Sequence, residues 1–293
     1  MTEDRTLDLG TTPGVSSSLY APVTSGPPGL PPILCYHKVE PRLELGVTRL
    51  SPRRFTRQIE RLARAGWRTL SLDEVLACAR GERVVGSRDI AITFDDGYRG
   101  LREYAFPVLE AHGFGGICSV ITDYAGKLNR WDVAYGGRRF AHLAWRDMHR
   151  WQGKGIEFIS HTATHRRLTW LDDGEVSIEL ARSARAMRDM LGVNRHVISY
   201  PYGAHTAREL GLASSEGYVA GLSLAGRWRG DPMAITRRPV YLWAPPTPGV
   251  GLLAPIEWLG AVGANRCAVG TSLWQALRGK RTAVGSYVEE LAG

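Results

Sequence analysis

His161 and His165 stand four residues apart in Ser160-His161-Thr162-Ala163-Thr164-His165. Two imidazoles at that spacing can face one way on a helical turn or a tight loop and grip one cation. Neutral imidazole suits Zn²⁺ and other late first-row metals. Chance spacing or ordinary capping would also explain the pair, so a third ligand is needed. Asp95-Asp96 offers one, directly after Ile90-Ala91-Ile92-Thr93-Phe94 and before Gly97. Adjacent carboxylates repel each other, and a cation or an arginine is the usual remedy; a helix N-cap beside a solvated Asp is the alternative. Two histidines and one carboxylate make an open three-ligand site with room for a water. The ion would acidify that water and polarise a carbonyl, and the second carboxylate could act as general base. His37 closes the run Ile33-Leu34-Cys35-Tyr36. A lone strand-end histidine is more often structural than catalytic, but set opposite a metal it could protonate a leaving amine or alcohol. The chemistry these parts support is metal-assisted hydrolysis of an acyl group.

Such distant residues can meet only if the fold brings them together. Short apolar runs punctuate the chain: Ile33–Tyr36, Ile90–Phe94, Ile117–Ile121, Ile156–Ser160, Val197–Tyr200, Tyr218–Leu222 and Val240–Trp243. Their length and β-branched content predict buried strands. Helical signals lie between them. Ser51-Pro52 opens a segment with Phe55, Ile59 and Leu62 on one face, ending at Gly66. Ser71 with Glu74 forms a capping box before Leu72–Arg80, and Asp172 with Glu175 repeats it before Val176, Leu180, Ala184, Met187 and Leu191. A helix is expected after Asp96-Gly97, broken by Pro107. Alternating strands and helices predict an α/β fold with a parallel sheet, a distorted (β/α)7-type barrel, with an open doubly wound sheet as the competing architecture. In either, the carboxyl ends of the strands gather on one rim.

The 293 residues are 44% hydrophobic and 23% charged, which excludes disordered, coiled-coil and collagen-like chains. The expected organisation is a flexible leader over 1–30, the barrel over 31–245, and a C-terminal extension over 246–293 to which no role is assigned. The net charge is +8, and Lys38, Lys127, Lys154 and Lys280 are the only lysines among 37 basic residues. The arginines are scattered, so a nucleic-acid partner is not expected. Cys35, Cys78, Cys118 and Cys267 lie far apart with no C-x-x-C pair and are expected as small buried residues. The segment 249–264 is too short and too broken to span a bilayer. The acidic start MTEDRTLDLG lacks a basic-then-apolar pattern, so a cytoplasmic location is expected.

Thr93-Phe94-Asp95-Asp96-Gly97, the His161–His165 segment and Tyr200-Pro201-Tyr202-Gly203, in that order, resemble the polysaccharide deacetylase family (carbohydrate esterase family 4). The resemblance spans roughly residues 31–245. It implies a distorted barrel that removes acetyl groups from sugars with a divalent metal, usually zinc. By that resemblance Asp95 is the general base, and Asp96, His161 and His165 hold the metal. The backbone N–H of Tyr202 would help stabilise the tetrahedral oxyanion. Two departures stand out. The family's usual C-terminal acid histidine has no counterpart after residue 205, and Leu34-Cys35-Tyr36-His37 instead resembles the circularly permuted branch that includes poly-N-acetylglucosamine deacetylases, making His37 the acid. The arginine that commonly precedes the Pro-Tyr-Gly turn is also missing. Arg237 is the candidate substitute for orienting the base, with a surface pair to Asp231 as the equal alternative.

Trp131 and Asp132, in Asn129-Arg130-Trp131-Asp132, are candidate substrate contacts, Trp131 stacking on a sugar ring or else merely anchoring its loop. Tyr200 and Pro201 are expected beside the substrate as well. The expected substrate is an acetylated sugar, N-acetyl before O-acetyl, in a cytoplasmic precursor or small glycoconjugate. Two other readings use the same residues: an amidohydrolase of a non-sugar amide or ureide, and a carbohydrate-binding protein with an inactive site.

Overall fold

A computed structural model describes residues 29–43, 48–132, 139–224 and 228–241. Among the described residues ten strands appear in chain order: β1 (Ile33–Tyr36), β2 (Lys38–Val39), β3 (Arg49–Leu50), β4 (Arg68–Thr69), β5 (Asp89–Phe94), β6 (Gly116–Val120), β7 (Ile156–Ser160), β8 (His196–Ser199), β9 (Tyr218–Leu224) and β10 (Ile235–Pro239). All the pairings between them are parallel. Neighbours run β1-β10-β9-β8-β7-β6-β5, and β1 returns to pair with β5, so the sheet closes into a ring. β5 offers one edge to two partners: Arg68 and Thr69 of β4 pair with Asp89 and Ile90, while Ile33–Tyr36 of β1 pair with Ala91–Phe94. The ring is uneven, since β7 and β8 meet only at Ser160 and Ile198. The expected closed α/β architecture is therefore present in distorted form, and the open sheet is ruled out by the β1–β5 pairing.

Seven helices cover the ring: α1 (Pro52–Arg64), α2 (Leu72–Ala79), α3 (Gly100–Tyr104), α4 (Phe106–Ala111), α5 (Trp145–Gln152), α6 (Asp173–Leu191) and α7 (Ala207–Ser215) among the described residues. α1 buries Phe55, Ile59 and Leu62 as its period requires, although the Ser51 side chain makes no cap hydrogen bond. The capping boxes of α2 and α6 both form, and Gly192 ends α6 with φ of 68°. The helix after Gly97 is indeed two pieces, α3 and α4, with Pro107 in the first turn of the second.

The last strand needs correction. It is Ile235–Pro239, and Val240 and Tyr241, where the expected run Val240–Trp243 begins, lie just beyond it, the Val240 N–H still bonding the Cys35 carbonyl at 2.8 Å; Leu242 and Trp243 lie outside the described residues. An apolar run marks a strand only when both faces are greasy, and β10 carries Arg237 and Arg238. The 1–30 leader, apart from Gly29 and Leu30, and the whole 246–293 extension lie outside the described residues, as does Cys267.

The two-residue alternation of the strands sorts the interior into layers. Ile33, Ala91, Ile117, Ile159, Val197 and Ile235 form one apolar cluster with Leu72, Val75 and Leu76 of α2, which plugs the amino-terminal end. Two residues further along, β1, β5, β6, β8 and β10 present Cys35, Thr93, Ser119, Ser199 and Arg237, and His161 follows the last residue of β7. Each strand thus passes from an oily layer into a polar one, and the polar layer is the floor of the site.

Candidate active site

Asp95 and Asp96 follow β5 directly, and both are buried. Asp95 is held from four strands. Arg237 Nη1 and Nη2 donate to its Oδ1 and Oδ2, each at 2.8 Å. Ser119 Oγ donates to Oδ1 at 2.5 Å, Ser199 Oγ donates to Oδ1 at 3.2 Å, and Cys35 Sγ approaches Oδ2 at 3.3 Å. Arg237 also donates to Thr93 Oγ1 and Ser199 Oγ, so the fork is fixed on both sides. Burial alone would raise the Asp95 carboxyl, but the guanidinium overrides it and holds the group well below the usual carboxylate range. Burial likewise opposes the charge on Arg237, which Asp95 more than restores. Arg237 is therefore no surface residue: it lies wholly inside the ring against Asp95, while the Asp231 carboxylate caps its own turn through Met233 N–H.

Asp96 turns away from Asp95 through a left-handed backbone, φ of 69°. Its Oδ1 lies 3.4 Å from His161 Nε2 and 3.4 Å from His165 Nε2. The segment carrying those histidines is a tight loop, not a helical turn, with φ of 65° at Thr162 and 63° at His165. Thr162 N–H bonds Ser160 Oγ, His165 N–H bonds Thr162 Oγ1, and Glu179 of α6 accepts from both the N–H and the hydroxyl of Thr164. Such backbone conformations persist only where surrounding contacts enforce them. Asp96, Thr162, His165 and Tyr202 are the only non-glycine residues of positive φ among the described residues, and all four are here.

The donor set tests whether a cation fits. His161 Nδ1 lies 2.7 Å from the Ser199 carbonyl, which can only accept, so that nitrogen carries hydrogen. In the neutral ring, Nε2 then aims a lone pair at the Asp96 carboxylate. One oxygen and two imidazole nitrogens within 4.8 Å of one another make a set of acceptors that asks for positive charge between them. The residues fit a divalent metal such as zinc. Burial lowers the His165 pKa to about 3, helped by His161. Burial also disfavours charge on His161, but the Asp95 and Asp96 carboxylates outweigh it and raise its pKa.

His37, two residues beyond Cys35, belongs to a second group: Cys35, His37 and Asp95 offer ligand-type atoms within 4.8 Å of one another. Its Nδ1 is buried with no hydrogen-bond partner among the described residues, and burial pushes its pKa down. The bidentate guanidinium on Asp95 opposes a second cation there. Tyr202 stands with its ring 4.7 Å from that of His165, in a turn where Gly203 lies so close to Leu224 that a Cβ would fall 2.5 Å from its backbone nitrogen.

The remaining expected contacts sit less openly. Trp131 is 7% exposed, with its ring 4.0 Å from that of His165 and its indole N–H on His142 Nε2 at 3.1 Å. That is the posture of a loop anchor, with little ring left for a sugar. Asp132 follows it, half-buried. Tyr200 is fully buried, packed in a cluster with Leu168, Leu180 and Tyr218, and Pro201 is buried beside it. Sequence reasoning missed Cys35, Ser119 and Ser199 as partners of Asp95; two-residue counting back from the strand ends would have found them. His142 was also missed, and no local pattern marks it.

The model of the polysaccharide deacetylase family matches residues 82–221, which include Asp95, Asp96, His161, His165 and the Tyr200–Gly203 turn. Over that span the chain is similar to the polysaccharide deacetylase family. His37 and Arg237 fall outside the matched span. Protein YxkH of Bacillus subtilis (strain 168), which carries the polysaccharide deacetylase name, is 27% identical over 192 residues, 66% of this chain and 63% of that protein. The chain thus spans less than two thirds of that relative. Among solved structures, Streptococcus pyogenes deacetylase PplD has a TM-score of 0.65 at 21% identity, covering 75% of this chain and 96% of that one. IcaB from Ammonifex degensii has a TM-score of 0.63 at 21% identity, covering 81% and 98%. A de-N-acetylase from Aggregatibacter actinomycetemcomitans has a TM-score of 0.61 at 14% identity, covering 78% and 98%. At these identities the structures speak for a shared fold. No helix among the described residues is long and apolar enough to cross a membrane.

Proposed function

We propose that this chain is a polysaccharide deacetylase of metal-dependent type that hydrolyses the N-acetyl group of a sugar, with Asp96, His161 and His165 as the metal ligands. The observation that carries the reading is the convergence of Asp96 Oδ1, His161 Nε2 and His165 Nε2 beside Asp95. A divalent cation held there would acidify a water and polarise the acetyl carbonyl.

The chain's own residues supply the rest. Asp95 stays ionised through the whole working range, because Arg237 stabilises its charge. Its Oδ1 already accepts from three donors, whereas Oδ2 accepts from one arm of Arg237 and a weakly donating thiol. Oδ2 is therefore the oxygen left to take the proton of the attacking water. As the water oxygen bonds to the acyl carbon, the Tyr202 N–H would donate to the developing oxyanion. Collapse breaks the carbon–nitrogen bond, and His37, neutral at rest because burial lowers its pKa, would pass to the departing amine the proton that Asp95 took from the water, leaving acetate and a free amino sugar. PplD, of similar fold, was solved in complex with acetate, and a second similar fold carries the name de-N-acetylase, both in keeping with this reaction.

The test is acetate release from a panel of N- and O-acetylated sugars, before and after stripping with a chelator and after restoring zinc. Release from N-acetyl sugars that is lost on stripping and regained with zinc is expected. Hydrolysis confined to non-sugar amides or ureides would point to the amidohydrolase reading, and no release from any substrate by protein that holds zinc would overturn the activity.

A further inference from the structure

His142 lies behind the site, buried, in the segment that follows the Trp131 loop. Two hydrogen bonds define its chemical form. Its Nδ1 is 2.7 Å from the carbonyl oxygen of Asp96, which can only accept, so Nδ1 donates. Its Nε2 receives the indole N–H of Trp131 at 3.1 Å, and an indole can only donate, so Nε2 carries no hydrogen. One proton on two nitrogens makes a neutral ring in a single tautomer.

The backbone around it is equally fixed. His142 pairs antiparallel with Tyr98, Leu143 N–H bonds the Gly97 carbonyl at 2.8 Å, and Arg99 N–H bonds the Ala141 carbonyl at 2.8 Å. The imidazole also stacks on the Tyr98 ring, with centroids 4.8 Å apart and planes 19° from parallel. The segment 141–143 therefore lies along 97–99 like a splint, and the His142 side chain reaches the one residue of that turn with a strained backbone, Asp96. On its other side it holds Trp131, whose ring covers His165.

We propose that His142 is a positioning residue for the metal centre, holding Asp96 in its left-handed turn through Nδ1–H and Trp131 against His165 through Nε2. The inference rests on the reading of Asp96, His161 and His165 as metal ligands. Partners behind a metal ligand fix its orientation, and their loss typically weakens metal binding by about 10–100-fold.

The two nitrogens can be separated by substitution. In His142→Asn the amide nitrogen stands near the place of Nδ1 and can keep the bond to Asp96. In His142→Gln the amide stands near the place of Nε2 and can keep only Trp131. Zinc affinity is measured on the stripped, full-length protein by competition with a chromophoric chelator, with circular dichroism and thermal melting as checks on folding. The Gln variant is expected to lose about 10–100-fold in zinc affinity, and the Asn variant to stay close to the parent. Equal affinity in the Gln variant, or equal losses in both, overturns the proposal. Nitrogen NMR of the unsubstituted protein gives a second measurement that needs no variant: His142 is expected as the Nδ1–H tautomer at neutral pH, and an Nε2–H ring or an imidazolium would overturn it. Parent protein that takes up no zinc would sink the metal centre itself, an outcome distinct from a zinc-binding parent with an indifferent Gln variant.

Discussion

Arg237 and Asp95 are 142 residues apart in sequence and meet through two parallel hydrogen bonds of 2.8 Å inside a closed ring of strands. Each group alone would be an uncompensated buried charge. Removing one partner from such a pair costs roughly 3–5 kcal/mol, whereas the intact pair adds little net stability. Arg237→Met should therefore lower unfolding free energy by about that amount in urea titrations and raise the Asp95 pKa. Arg237→Lys keeps a cation but loses the fork, so turnover should fall while stability falls less. A methionine variant as stable as the parent would show that the pair does not constrain the fold.

Asp95 and His161 touch the same centre with different proposed jobs, and metal content separates them. Asp95→Asn should abolish acetate release while bound zinc, measured by elemental analysis, stays near the parent level. His161→Ala should lose both. Zinc retained in His161→Ala, or activity retained in Asp95→Asn, would reverse the assignments.

His37 carries the proposed acid role without a hydrogen bond at Nδ1 among the described residues. A positioned acid or base is worth about 10²–10⁴ in rate, so His37→Ala should reduce kcat by that factor with zinc content unchanged. A change in melting temperature with no change in kcat would make the residue structural.

Burial lowers the His142 pKa to about 4, below the 6.5 of an ordinary histidine. As pH falls, the unfolded chain binds a proton there before the folded one does. The stabilising contribution is complete above about pH 6.5 and is lost as pH drops toward 4, amounting to at most about 3 kcal/mol by linkage. Urea unfolding at pH 7.5 and pH 4.5 should show this loss in the parent and a smaller one in His142→Asn. Equal losses would move the pH dependence to other groups.

The sequence made the strand ends legible because chemistry and periodicity coincide there. Asp95-Asp96 follows a five-residue apolar run, and His161 and His165 follow another. Arg237 was visible only as a candidate, because β10 reads Ile-Thr-Arg-Arg-Pro and shows no apolar run. Its partner was fixed by ring closure, a tertiary fact with no local sign. Trp131 reads equally as a platform for sugar or as a loop anchor from sequence, because an aromatic on a loop can be either, and in the structure His142 and His165 claim its edge and face. Ser119 and Ser199 carry no motif at all; only their inward parity on β6 and β8 gives them meaning.

β1 shares its two edges with β10 and β5, so the strand that leads into His37 is the seam where early and late parts of the chain are stitched. During synthesis, Asp95 is made long before the guanidinium that neutralises it. Until residue 239 has left the ribosome, the base has no counter-charge and the mouth cannot close. The surroundings of Asp95 are thus completed only with the last strand of the ring, β10.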